Sequence, residues 1–520
     1  MDAAELDAIT DIDTLRAMVR EHVTCIAQRD AAMAERDAVI AAHQRTLRER
    51  EALIGKLTHE LARLRRVQFA ARSERMDTAQ RGLFDEAMAA DIAAVEAQLE
   101  AAQTAPASTV PRAPRAKPAR RTLPADLARV TTVHAPAACD CAACGAALVK
   151  IGEHVSEKLD AKPIELFVRR DVYPQYACRA CETIVAEPVA PAIIDRGLAA
   201  PGLLAQVVVH KYVDHLPLYR QEAIFARHGL DLSRTVLAEW IGKIGVALQP
   251  LVEALRARLL SAPVLHADET PVAQLDPGAG KTRRAYLFVY RRAGPRPIVV
   301  FDYAATRAGK HAAAFLGSWQ GALMVDDYAG YKALFASGVT ELGCWAHARR
   351  TFFDVHKASA SPIAKEALAR IGALYAIEAA LRDLDDTARH RERQRQLAPA
   401  LDALKRWLDD LQPKVLGNTG LAGAIGYTLK RWDALARILD DGAYPIDNNP
   451  AENAIRPIAI GHKNWLFAGS ETAGQRAAAI MSLLATAKAN GLEPHAWLVD
   501  VLTRLPTTKD RDIETLLPLA

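Results

Sequence analysis

An apolar residue recurs at every seventh position from Val19 through Ile26, Met33, Ile40, Leu47 and Ile54 to Leu61. This is the a-position repeat of a coiled coil, although the d positions hold His22, Arg29, Arg36, His43 and Arg50 and turn apolar only at Leu57 and Leu64. The pattern predicts a long helix that self-associates, best at its C-terminal third; packing against its own chain is the competing reading. Residues 104–124 mix proline with positive charge without periodicity and predict an extended linker. Ile164–Tyr173 reads as strand. Residues 200–250 read as helical. There Leu218–Gly229 ends on glycine and Ser233 is placed to cap a second helix from Arg234, the layout of a helix-turn-helix pair that would offer Arg234 to a DNA groove.

Apolar runs then predict strands at Ala262–Asp268, Ala285–Tyr290 and Pro297–Tyr303, a helix at Lys310–Leu316, and a strand at Ala322–Asp326. Three strands, a helix and a further strand resemble the RNase H-like fold, an α/β domain with a mixed sheet. Stripes at Ile363, Ala367, Ile371 and Leu374, at Leu397 to Leu411, and at Ile425 to Leu439 have helical spacing and predict a helical insertion. The fold class is multidomain α/β and α. The expected organisation is an N-terminal helical or coiled-coil region (1–103), basic linker (104–124), zinc ribbon (125–195), helix-turn-helix-like segment (196–255), catalytic core (256–357 and 441–490) interrupted by a helical insertion (358–440), and C-terminal tail (491–520).

Length supports several cores. Lys and Arg total 66 against 62 acids, too even a balance to name a partner, but basic residues gather at Arg63–Arg75 and Arg112–Arg121 as on a polyanion-binding surface. No apolar run approaches bilayer length and the acidic start, Met1–Asp7, is unlike a signal peptide, so a cytoplasmic protein without a membrane partner is expected.

Chemistry concentrates at three carboxylates. Asp268 and Asp326 each close an apolar run, and Glu452 sits in the first turn of a helix opened by Asp447–Pro450. Carboxylates from two neighbouring strands and a helix suit a pair of divalent metal ions in phosphoryl transfer. Alternation along a strand prevents Asp268 and Glu269, or Asp326 and Asp327, from facing one site together; Asp268, which shares its face with His266, and Asp326 are preferred. A competing reading makes Asn449, Pro450 and Glu452 a capping box, with Arg456 as a helix salt-bridge partner. His347, Arg349 and Arg350 are placed to hold phosphate, and Lys463 with Trp465 to receive a distorted DNA end; core packing is the alternative for Trp465.

Of seven cysteines, Cys141, Cys144, Cys178 and Cys181 form two CxxC pairs, the pattern of a structural Zn2+ site, with Cys139 as an extra thiol in the first knuckle.

Taken together, His266–Pro271, Asp326 with Tyr328–Tyr331, Cys344–Arg350, Asn448–Pro457 and Lys463–Phe467 resemble the transposase of the insertion sequence 66 family, and the heptad start, paired cysteines and Lys211–Glu222 match that family's layout. His462 stands where the family suggests Arg. The resemblance implies a DDE triad of Asp268, Asp326 and Glu452, Mg2+ (or Mn2+) at that triad and Zn2+ on the thiolates. It implies cleavage by water at the element's ends, then attack of the freed 3′ hydroxyl on target DNA. The partners it implies are double-stranded DNA, further copies of the chain as a dimer or higher oligomer, and small accessory proteins encoded by the same element. A DNA-binding regulator with an inert α/β domain and a purely hydrolytic nuclease are the competing functions.

Overall fold

The computed structural model describes residues 12–70, 78–104, 127–135, 146–162, 165–195, 197–276, 281–465 and 468–519. The chain divides into two compact units, residues 1–65 with 95–113, and residues 66–94 with 114–520. Helix α1 (Ile12–Ala70) runs unbroken through the heptad stretch, and α2 spans Thr78–Thr104. In the first unit Met33, Ile40 and Leu47 are exposed while Leu57 and Leu64 are buried, and Arg65 pairs with Glu96 at 2.7 Å. The apolar d positions are thus the covered ones.

The second unit contains two mixed sheets. In the first, β1 (Arg129–Val133) lies parallel to β3 (Glu165–Cys178), which forms a long antiparallel hairpin with β2 (Leu148–Lys162) and also pairs with β4 (Ile184–Ala186). Cys178 ends β3 and Cys181 lies in the turn to β4, where Cys178 exchanges backbone hydrogen bonds with Glu182 and Thr183. Cys139, Cys141 and Cys144 lie outside the described residues.

Helices α3 (Pro201–Tyr212), α4 (Leu218–Arg227), α5 (Arg234–Ala247) and α6 (Gln249–Leu260) follow. Ser233 caps α5 as expected, accepting from the Val236 amide. Half of α5 is nevertheless buried: a Cβ at Gly242 would stand 2.3 Å from the Ala90 carbonyl, and one at Gly245 2.4 Å from the Arg476 side chain. Glycine is needed at both because neighbouring elements press directly on the helix backbone. Glu222 accepts from the Arg234 amide at 3.0 Å, so a carboxylate already fills the helix N-terminus that a phosphate would use. The expected helix pair is there, but its second helix is core and offers a partner little beyond its first turn and an exposed edge at Thr235 and Glu239.

The central sheet holds β5 (Val264–Asp276), β6 (Lys281–Arg292), β7 (Val299–Ala304), β8 (Ala322–Val325) and β9 (Thr340–Gly343), in the spatial order β7-β6-β5-β8-β9. The first three are antiparallel neighbours, whereas β8 and β9 run parallel to β5. Between β7 and β8 lies α7 (Lys310–Leu316), and α8 (Lys332–Ala336) precedes β9. Leu265, Ala267, Phe288 and Tyr290 share one core with Leu259, Phe315 and Leu316. Val272, Leu287, Val289 and Phe301 share another with Ala451, Ile455 and Ile458. Period-two alternation therefore gives the sheet two apolar faces, each covered by helices.

After β9 come α9 (Trp345–Ser359), α10 (Pro362–Ala380), α11 (Asp386–Glu392), α12 (Ala398–Leu411), α13 (Gly420–Lys430) and α14 (Trp432–Ala436). Ala367, Ile371, Leu374, Leu401, Leu404, Leu408, Ile425 and Leu435 bury together with Trp345 and Phe352, so the predicted stripes form a core of their own. The chain returns through α15 (Asn449–Trp465), α16 (Glu471–Ala489) and α17 (Pro494–Arg504). Along α16, Ser482 accepts from the Phe301 amide at 2.8 Å and Thr486 from the Val299 amide at 3.0 Å, which satisfies the open edge of β7. Among the described residues no single helix is long and apolar enough to cross a membrane.

Candidate active site

Residue alternation brings Asp268 onto the sheet face shared by His266 and Val272, the face against which α15 packs. The parallel register of β5 with β8 ends at His266 and Met324; carried two residues further, it sets Asp268 beside Asp326, just past the end of β8. The sequence expectation ended the β5 strand at Asp268, but β5 continues to Asp276 through Pro271. That proline is tolerated because β8 has already stopped, leaving that side of β5 without a neighbour that needs its missing N–H. The vacated edge is taken up further on by Ala468, which bonds to Ala273 and Leu275 and so moors the segment following α15.

The acids passed over by the sequence reading are neutralised. Glu269 accepts from Arg307 Nε at 2.8 Å and from the Tyr331 hydroxyl at 2.9 Å. Asp327 is held by the buried Arg431 at 2.5 Å, whose other nitrogen reaches Glu341 at 2.9 Å. Among the described residues no lysine or arginine pairs with Asp268 or Asp326; each accepts a backbone amide, from Glu269 and Tyr328 respectively, both at 2.9 Å. Burial first, and then the charges of Glu269, Asp326 and Glu452, push the Asp268 carboxyl up to about 7.

Glu452 is not a capping-box residue. The Asn448 carbonyl accepts from the Glu452 amide, so the cap lies one residue earlier than expected, at Asn448. The amides a capping Glu would seek are taken: that of Asn448 by Cys344 Sγ at 3.2 Å, and that of Asn449 by Asp447 Oδ1 at 3.1 Å. Glu452 instead stands 3.7 Å from His347 Nδ1, and Arg456 is exposed. Asn448 faces inward, donating to the Ala267 carbonyl at 2.8 Å and meeting His266 Nδ1 at 3.1 Å. His266 is buried and pushed down to about 3, chiefly by that burial, so it is a neutral ring. Neither role of Asn448 was read from the sequence.

His347 and Arg350, with Asp326, Tyr328 and Arg307, line an open cleft of about 770 Å³. Arg349 is exposed beside it. Lys463 and Trp465 fall in the last turn of α15, and their side chains, like that of His462, lie outside the described residues.

The carboxylate set is all oxygen, and among the described residues no lysine or arginine is ion-paired with it, a chemistry that fits Mg2+ or Mn2+. Its three donors do not form the tightest cluster, however. Among the described residues the set whose donor atoms all lie within 4.8 Å of one another is Cys344, His347 and Glu452. Of the paired cysteines, Cys178 and Cys181 are carried by one tight turn, as a zinc knuckle requires.

Family comparison covers most of the chain. A family described as "Transposase IS66 family" matches residues 196–476, and "IS66 C-terminal element" matches 482–519. A "zinc-finger binding domain of transposase IS66" matches 138–182, and "Transposase C of IS166 homeodomain" matches 56–132. The chain is 36% identical over 534 residues to the uncharacterized protein y4qI of Sinorhizobium fredii, which spans 98% of this chain and 97% of that one. It is 39% identical over 412 residues to y4jD of the same organism, also uncharacterized, covering 76% and 81%.

Proposed function

The chain belongs to the IS66 family of transposases, and on that premise we propose that it cleaves the ends of an insertion sequence and joins them to target DNA through a DDE triad of Asp268, Asp326 and Glu452. The observation that carries this reading is a selective lack of ion pairs: among the described residues Glu269 and Asp327 have arginine partners, while no lysine or arginine is paired with Asp268 or Asp326. The strand order, with β5 central, β6 and β7 antiparallel on one side and β8 and β9 parallel on the other, supports an RNase H-like core whose site lies at the carboxyl ends of β5 and β8.

Asp268, Asp326 and Glu452 would hold a pair of Mg2+ or Mn2+ ions, which when bound activate the attacking oxygen and stabilise the leaving one. Asn448 keeps the helix that carries Glu452 in step with the strand that carries Asp268. Arg349, Arg350 and Arg456 are exposed and suit DNA phosphates, and Lys463 with Trp465 would receive the DNA end. Arg234 contributes at most from the first turn of α5. The thiolates Cys141, Cys144, Cys178 and Cys181 would hold a structural Zn2+, in keeping with the zinc-finger match. Exposed Met33, Ile40 and Leu47 support a parallel pairing of α1 between copies of the chain.

Incubating end-specific DNA with a supercoiled target and Mg2+ tests the reading. Wild type is expected to give joined products, and Asp268→Asn and Glu452→Gln to lose them at least a hundredfold while still binding DNA. Equal joining by all three would overturn the triad; cut ends that are never joined would favour a hydrolytic nuclease on the same core.

A further inference from the structure

Cys344, His347 and Glu452 bring a sulfur, a ring nitrogen and a carboxylate oxygen within 4.8 Å of one another at the junction of α9 and α15. Cys344 is the residue that opens α9, and His347 lies one turn along it, so the i, i+3 spacing puts both on one face. His347 Nδ1 is buried, has no hydrogen-bond partner and stands 3.7 Å from Glu452 Oε1. A buried ring nitrogen with no protein partner, 3.7 Å from a carboxylate, is placed to share a cation with it. The thiol accepts the Asn448 amide, the kind of supporting bond that holds a metal thiolate in place.

We propose that these three residues form a second metal site, distinct from the all-oxygen pair at Asp268 and Asp326, that takes a thiophilic divalent ion such as Zn2+. In a tetrahedral zinc site the bond lengths of about 2.0–2.3 Å set donors ~3.3–3.7 Å apart, so the cluster needs only a small contraction. Three protein ligands would leave the fourth position to water. Mg2+, which prefers oxygen and shuns sulfur, would not compete there. The thiol gives its proton to solvent as the sulfur–metal bond forms.

Glu452 then belongs to two sites. On the catalytic reading above, an ion held by Cys344 and His347 draws the Glu452 carboxylate away from the aspartates, and strand transfer is inhibited by zinc.

Zinc content after equilibration at low micromolar free Zn2+ is the first measurement, made on the full chain as wild type, Cys344→Ser and His347→Ala. Each variant is expected to retain about one equivalent less than wild type. Cys344 is buried and its variant risks misfolding, but His347 is part-exposed, and a native circular dichroism spectrum for His347→Ala keeps the comparison valid. Equal zinc content in wild type and a folded His347→Ala overturns the site. The second measurement adds micromolar Zn2+ to the Mg2+-supported joining reaction. Wild-type product should fall about tenfold, and the ratio with and without zinc should approach one in Cys344→Ser. A lost equivalent with unchanged zinc sensitivity overturns the inhibition. A wild type that never joins DNA overturns the catalytic reading and leaves the zinc count standing.

Discussion

Asn448 donates its side-chain amide to the backbone carbonyl of Ala267 across 2.8 Å, joining the residue before Asp268 to the turn that launches the Glu452 helix. Replacing Asn448 by Ala strands a buried carbonyl and the His266 ring nitrogen without partners. Each such loss costs about 1–3 kcal/mol. Asn448→Ala should therefore lower thermal stability measurably. It should also reduce the turnover of strand transfer at least tenfold with little change in apparent DNA affinity, since the residue positions carboxylates and does not touch DNA. A pure loss of affinity in binding and turnover assays would contradict that role.

Asp268 holds its proton up to about 7 in the metal-free fold, against an ordinary value of 3.8. The native state thus binds this proton more tightly than the unfolded chain does. Its stabilising contribution is complete below about pH 4 and is lost as pH rises through 7. Asp268→Asn removes the penalty of a buried carboxylate, so at pH 8 without metal the variant should melt roughly 5 °C above wild type, a gap that closes toward pH 4. Adding Mg2+ at pH 8 should raise the wild-type melting temperature and leave the variant's unchanged. In activity assays the acid limb near pH 7 should move lower as Mg2+ is increased.

The proposed triad was chosen from alternation and run-ends. Asp268 was preferred to Glu269 because it shares a face with His266; Glu269, on the other face, accepts from Arg307. The continuation of β5 past Pro271 was hidden because proline normally closes a strand; what permits it is the early end of β8, a tertiary fact. The helix cap was misplaced by one residue because Asn448 and Asn449 are equally good caps locally, and contacts with Ala267 and Cys344 decide between them. Arg393, which no apolar stripe marks, is buried, forked onto Glu378 at 2.7 and 2.8 Å and donating to three carbonyls. Cys344 and His347 stand one helical turn apart, the spacing on which the proposed second metal site rests, but His347 was read only for phosphate contact.

Asp326 and Asp327 provide a sharp contrast between neighbouring carboxylates. Asp327 is tied to the buried Arg431, so Asp327→Asn should cost stability, about 1–2 kcal/mol, while joining at permissive temperature stays within a few fold of wild type. Asp326→Asn should keep the melting temperature and lose joining at least a hundredfold. The reverse pattern, measured by thermal denaturation alongside strand-transfer yield, would exchange their roles. Arg431→Met should be more damaging to stability than either, because it leaves both Asp327 and Glu341 without their shared partner.

Met33, Ile40 and Leu47 lie on one heptad line of α1 and are 54%, 53% and 47% exposed. On the proposed self-association, a facing helix with the same repeat would bury them as knobs in holes. The charged d positions weaken that seam, so the association should be concentration-dependent and sensitive to one well-placed charge. Ile40→Asp with Leu47→Asp should raise the dissociation constant for self-association at least a hundredfold by analytical ultracentrifugation while leaving the helical content of the folded chain largely intact. Joining both ends of one element in a single event requires more than one copy of the active site, so paired-end joining should fall with dimerisation, whereas cleavage of a single end should persist. A double variant that sediments as wild type would place the partner of α1 elsewhere and remove the exposed seam as the basis of assembly.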